Sequence, residues 1–141
     1  MSRLRPELTV ERFNRASERF LPGRLGVELV TLEQGRATSR MVLDTGHLAP
    51  NARLHAASIV ALADTTAGHA TMAHLPEGAV SFATIELKSN HLATLTDGTL
   101  ACVATARHLG RNTQVWDAVV TDEATGRELA LYRCTQMALY G

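Results

Sequence analysis

His55-Ala-Ala-Ser-Ile-Val-Ala-Leu-Ala-Asp64-Thr-Thr-Ala-Gly-His-Ala-Thr-Met-Ala-His74 is the stretch whose reading decides the fold. Alanine dominates it and β-branched residues are few, which predicts a helix of about 20 residues rather than a strand. Between Ala56 and Ala73 the only formal charge is Asp64. At helical spacing its neighbours are Val60, Ala61, Ala67 and Gly68, a stripe of mostly small residues that lets another backbone come close. The opposite face carries Ile59, Leu62, Thr66 and Ala70. Such a helix has no clean polar face, so it is expected to be wrapped by its own sheet on one side and by a partner on the other. A carboxylate on a segment of this kind is costly unless something compensates it, and groups held this way often mark sites.

Working outward, Thr9 to Phe20 reads as a short helix with Thr9 as its cap, and Leu21-Pro22-Gly23 breaks it. Leu25–Glu33 and Arg36–Leu43 flank the turn Gln34-Gly35 and predict a hairpin. Asp44 to Arg53 reads as a loop. After Leu75-Pro76-Glu77-Gly78 come four extended runs, Ala79–Leu92, Thr99–His108, Thr113–Asp122 and Glu128–Leu139, joined by short turn-like links. They are expected to form an antiparallel meander. The whole chain, 1–141, is read as one α+β domain with residues 1–22 as an N-terminal helical segment. Its architecture is a long central helix wrapped by a curved antiparallel sheet of about six strands.

The start of the long helix carries its own chemistry. The first N–H groups, at His55-Ala56-Ala57-Ser58, have no intrahelical acceptor and form a partly positive pocket for an oxygen that gains charge. Asp64 lies ~12 Å along the axis from that pocket, too far for both to act on one carbonyl within one chain. A reaction that uses both therefore requires a second copy. The other reading makes Asp64 a structural acid, hydrogen-bonded to Thr65, Thr84 or a backbone N–H.

Bulk properties narrow the class. The chain is 45% hydrophobic and 20% charged, with 14 basic and 14 acidic residues, so no charge excess points to nucleic acid or to a basic partner. The N-terminus lacks the apolar run of a secretory signal and no run approaches a membrane span. With Cys102 and Cys134 far apart, these features lead us to expect a cytoplasmic protein with reduced thiols. No CxxC motif or His/Cys cluster suggests a metal.

Asn51-Ala-Arg-Leu-His55-Ala-Ala-Ser-Ile-Val-Ala-Leu-Ala-Asp64-Thr-Thr-Ala-Gly68 resembles the signature of the hotdog-fold acyl-CoA thioesterases of the PaaI/4-hydroxybenzoyl-CoA type. The usual form there is Asn, a short gap, His-Gly-Gly, then Leu-Ala-Asp or Leu-Ala-Glu. The nine-residue step from His55 to Asp64 matches, while His-Gly-Gly is here His-Ala-Ala. Thr84-Ile-Glu-Leu-Lys-Ser-Asn90 is similar to the family's strand after the helix, and His108-Leu-Gly110-Arg111 to its Gly-Arg turn. The likeness runs over 25–139 and includes the order of elements. It implies a hotdog fold, a homodimer or homotetramer with pockets at the dimer interface, and hydrolysis of an acyl-CoA thioester. It further implies Asp64 as general base or nucleophile, and the Ala56 amide, with that of Ala57, as oxyanion hole. Asn51 or His55 would orient the thioester or water, and Thr84 would hold the attacking water. Arg111, with Gly110 and Arg107, would meet the CoA phosphates. CoA is part of the substrate, and no separate cofactor is implied.

The sequence supports two other readings. A hotdog protein that binds acyl thioesters without turnover is motivated by the His-Ala-Ala change. His47-Leu-Ala-Pro50 resembles the His-Phe-Pro loop of hotdog dehydratases, although the gap of 17 from His47 to Asp64 is long for it. His69 and His74 are expected at a surface or interface near the helix end, and Trp116 in sheet packing.

Overall fold

The computed structural model describes residues 3–141; Met1 and Ser2, part of the stretch examined for a leader, lie outside the described residues. Helix α1 spans Val10–Ser17, and the Thr9 hydroxyl accepts from the Arg12 N–H at 3.2 Å, the cap the sequence calls for. The chain does not simply break after it. Leu21–Leu25 forms a second short helix, α2, with Pro22 in its first turn and Gly26 closing it at φ +76°. Proline fits a first turn because the N–H it lacks has no acceptor there.

Strands β1 (Val27–Glu33) and β2 (Arg36–Val42) form the expected hairpin. A 3-10 turn at Thr45–His47 leads to α3, Ala56–Ala73. Then follow β3 (Ala79–His91), β4 (Thr99–Leu109), β5 (Thr113–Asp122) and β6 (Glu128–Tyr140). All pairings are antiparallel and the sheet order is β1-β2-β4-β5-β6-β3.

The meander expected of the last four strands holds only for β4, β5 and β6. β3 pairs with β6, and β4 pairs with β2. The reason lies in the link between β3 and β4, whose polar backbone is consumed elsewhere. Leu92 N–H bonds Leu129 O, Leu95 O accepts from Leu54 N–H, and Gly98 O accepts from Leu43 N–H. Thr96-Asp97-Gly98 is thus part of a crossing connection, not a hairpin turn.

α3 lies against one face of the sheet. Ile59, Leu62, Ala63, Ala67 and Ala70 are buried against Met41, Leu100, Cys102, Ala104, Trp116 and Ala118. Burying Leu62 or Ile59 contributes about 1.5–3 kcal/mol each. The small alanines let the helix sit close to the strands. The other side of α3, with Val60, Ala61, Asp64, Thr65, Gly68 and Met72, is only half-buried.

The C-terminal end of α3 is fixed by a buried polar network. Gln114 Nε2 donates to the Thr71 and His74 carbonyls at 3.4 and 3.0 Å, and Gln114 Oε1 accepts from the Trp116 indole N–H at 2.8 Å. His74 is fully buried, not at a surface as expected. Its Nδ1 donates to Ala70 O at 2.7 Å and its Nε2 accepts from the Gly35 N–H at 2.9 Å. Those two bonds compensate the imidazole for its loss of water. Trp116 is fully buried in sheet packing, as the sequence leads one to expect.

The two sheet edges differ. On β1, the Asn14 side chain bonds both the N–H and the carbonyl of Leu29, each at 2.9 Å, and so occupies part of that edge. β3, 13 residues long, is the other edge, and Ile85 and Leu87 on it are exposed.

Candidate active site

Asp64 stands in the third turn of α3, half-buried. Its Oδ1 accepts a hydrogen bond from the Tyr132 hydroxyl at 2.7 Å. The donor is therefore neither Thr65, Thr84 nor a backbone N–H, the partners that the structural reading of this acid named. Tyr132 belongs to β6, where even-numbered residues point to the helix; it is 3% exposed, and a buried phenol requires a partner. Among the described residues no cation pairs with Asp64. Burial, followed by the bond to Asp64, holds the Tyr132 hydroxyl well above its ordinary range, so it stays a donor.

Asp64 borders a concavity of about 280 Å³ with Phe13, Pro22, Thr65, Gly68, His69, Met72 and Phe82. α1 supplies Phe13, α2 supplies Pro22, and β3 supplies Phe82. Its walls are mostly apolar. His69 stacks on Phe13 with ring centroids 4.6 Å apart, and burial pushes its imidazole down to about 4, so it is neutral near pH 7. It makes no hydrogen bond among the described residues. A methyl at Gly68 would come to 3.5 Å from the tip of Phe82, so glycine there widens the concavity.

The start of α3 forms a separate cluster. His55 is the cap residue: its Nδ1 accepts from the Ala57 N–H at 2.9 Å, and its own N–H donates to His47 O at 3.0 Å. The Ala57 amide is thus taken by the cap, which corrects the expectation that it shares an oxyanion hole. The Ala56 N–H meets no acceptor among the described residues and lies at an exposed position. Asn51 is exposed, and its Oδ1 accepts from the Arg53 N–H at 3.0 Å, holding a turn in which Ala52 has φ +64°. Eight residues of helix, ~12 Å, separate Ala56 from Asp64 within the chain. His47, the histidine of the dehydratase reading, is buried with both ring nitrogens engaged: Nδ1 by the Asp44 N–H at 2.9 Å, Nε2 by Leu25 O at 2.6 Å.

The remaining residues do not join either cluster. Thr84 is exposed on β3, opposite Gln136, and its hydroxyl makes no hydrogen bond among the described residues. Arg107 is exposed and lies 3.7 Å from Asp117, whose carboxyl is held below its ordinary range chiefly by the Arg133 hydrogen bond. Gly110 sits in the β4–β5 turn, its N–H on Thr113 O at 2.9 Å and its carbonyl accepting from Arg3 Nη2 at 3.1 Å. A side chain there would come to 2.9 Å from Thr113 O, so packing alone accounts for the glycine. Arg111 is exposed and its guanidinium has no ion pair among the described residues.

Both thiols are buried, and burial pushes Cys102 up to about 12 and Cys134 up to about 11, which removes them as nucleophiles. Among the described residues no group of three His, Cys, Asp or Glu converges as metal ligands would. No helix of the described residues is long and apolar enough to cross a membrane.

Sequence reasoning missed Tyr132. The signal was present: alternation in β6 places a tyrosine on the face that meets the one charged position of α3.

Comparison with known proteins bears on this geometry. A family model described as the thioesterase superfamily matches residues 51–128, which include both the helix start and Asp64. A 1,4-dihydroxy-2-naphthoyl-CoA hydrolase of Listeria monocytogenes is 32% identical over 111 residues, covering 79% of this chain and 89% of that protein. The proofreading thioesterase EntH of Klebsiella pneumoniae is 32% identical over 117 residues, 83% of this chain and 85% of its own. A mutant thioesterase of Pseudomonas aeruginosa has a crystal structure that superposes with a TM-score of 0.92 at 26% identity, covering 99% of this chain and all of that one.

Proposed function

The chain belongs to the thioesterase superfamily, with thioester hydrolysis as its reaction class, and from that premise we propose that it cleaves acyl-CoA thioesters with Asp64 as the reacting carboxylate. One observation carries the reading. Asp64 is a lone acid beside an apolar concavity, with one oxygen held by Tyr132 and, among the described residues, no cation to neutralise it. An acyl group in that concavity brings its carbonyl to the free oxygen of Asp64.

In the general-base route, Asp64 takes a proton from water, and the water oxygen bonds to the thioester carbon. The C–S bond then breaks and CoA leaves as the thiol, taking up the proton. In the nucleophilic route, Asp64 itself bonds to that carbon, CoA leaves, and water opens the mixed anhydride. Both routes build negative charge on the carbonyl oxygen, which needs an N–H donor. The unpaired Ala56 amide is that donor, His55 is the cap that orients its peptide, and Asn51 shapes the turn before it. Thr84, with a free hydroxyl on β3, holds the attacking water, and the unpaired Arg111 meets a CoA phosphate. Water is the only co-reactant these steps use.

The ~12 Å between the Ala56 amide and Asp64 gives each site two chains. The half-buried small-residue face of α3 and the exposed edge β3, with Ile85 and Leu87, support a dimer whose sheets join edge to edge. The concavity would then be completed by the partner, and two such dimers would form the tetramer.

A panel of aryl- and alkyl-CoA thioesters, followed by free thiol release, tests the reading. Asp64→Asn is expected to lower kcat about 10²–10⁴-fold with the fold intact by circular dichroism. Retained activity would remove Asp64 from the mechanism. One observation favours binding without turnover instead: the His-Ala-Ala start leaves a single free amide, because His55 engages the second. That reading gains if no thioester is cleaved while CoA thioesters still raise Tm.

A further inference from the structure

We propose that Tyr132 is the positioning residue of the reaction: by holding Asp64 Oδ1 it leaves Oδ2 as the one oxygen that meets the substrate. The inference rests on Asp64 being the reacting carboxylate. An aspartate has only two side-chain torsions, so a single bond to one oxygen, added to the helix backbone, fixes where the other oxygen lies. The bond is short and well placed, 2.7 Å, and its donor is 3% exposed in the middle of β6, with β3 and β5 on either side. The tyrosine ring has no freedom to follow a moving carboxylate, because it is packed in the core under α3.

The hydroxyl orients the carboxylate before the substrate arrives, which favours the reaction. Loss of the hydroxyl therefore lowers kcat through lost orientation. Tyr132 does not border the concavity, so KM for the thioester changes little. A residue that merely filled space would not separate kcat from KM in this way.

The test is kcat and KM in Tyr132→Phe, read beside Asp64→Asn. The expected result is an inactive Asp64→Asn. Tyr132→Phe loses about tenfold in kcat and keeps its KM. If Tyr132→Phe does not fold, site-specific replacement of Tyr132 by 4-aminophenylalanine keeps the ring with a weaker donor, and kcat falls part of that way with KM unchanged. An inactive Asp64→Asn with an unchanged kcat in the Tyr132 variant, or a fall in kcat matched by a rise in KM, overturns this role and leaves the proposed function standing. An active Asp64→Asn overturns both.

Discussion

Asp64 and His69 lie five positions apart on the same helix and border the same concavity, yet they bear on different measurements. His69 is a matter of stability. In the folded chain its imidazole titrates at about 4; in the unfolded chain it titrates at its ordinary 6.5. As pH falls from about 6.5 towards 4, the unfolded chain takes up a proton that the folded chain refuses, so the fold loses stability over that window. Fully buried His74, also pushed down by burial, adds to the same trend. Denaturant titrations at pH 7 and pH 5 should therefore show a drop, and His69→Gln should make the drop smaller. An equal drop in that variant would assign it to His74 or to the carboxylates. At this scale the sequence exposed Asp64 as the one charge of its helix but hid its partner. Tyr132 lies 68 positions away, and which inward residue of β6 meets which turn of α3 depends on a register that no local pattern contains. His74 misled for the same reason: a histidine past a helix end reads as solvated until Gly35, from the β1–β2 turn, and Gln114, from β5, reach it.

At the scale of elements, local chemistry was readable and order was not. The Thr9 cap, the hairpin around Gly35 and the long alanine-rich helix all follow from spacing and composition. Where β3 goes does not, because the short link to β4 has the composition of a turn while its backbone bonds lead elsewhere. The β4–β5 turn makes the same distinction for function. Gly110 is explained by the space around it, and Arg111 is not tied to the turn by its side chain. Gly110→Ala is expected to cost about 1–3 kcal/mol, read as a lower Tm, since the new methyl meets the Thr113 carbonyl. Arg111→Ala should change the unfolding free energy by no more than about 0.5 kcal/mol, leaving Tm nearly unmoved, and raise KM for CoA thioesters, since a lone surface arginine contributes little to folding. A loss of Tm in the arginine variant without a change in KM would place its role in the turn, not at a phosphate.

The whole molecule brings the two halves of the proposed chemistry onto one helix and keeps them apart. Among the described residues the Ala56 amide meets no acceptor at one end of α3; Asp64 stands in the third turn beside an apolar concavity; and Phe82 of the edge strand β3 borders that concavity. In the proposed dimer a symmetric pair of chains would set the amide of each against the acid of the other. Co-expression of Asp64→Asn chains with Ala56→Pro chains measures this directly. Proline removes the amide N–H and is accepted at the first helical position, and His55 already has the extended backbone, φ −72° and ψ 133°, that a following proline demands. Each variant alone is inactive. A mixed dimer holds one site with both groups intact, so random pairing restores about a quarter of the original activity. A mixture no more active than its two parts would contradict the shared site.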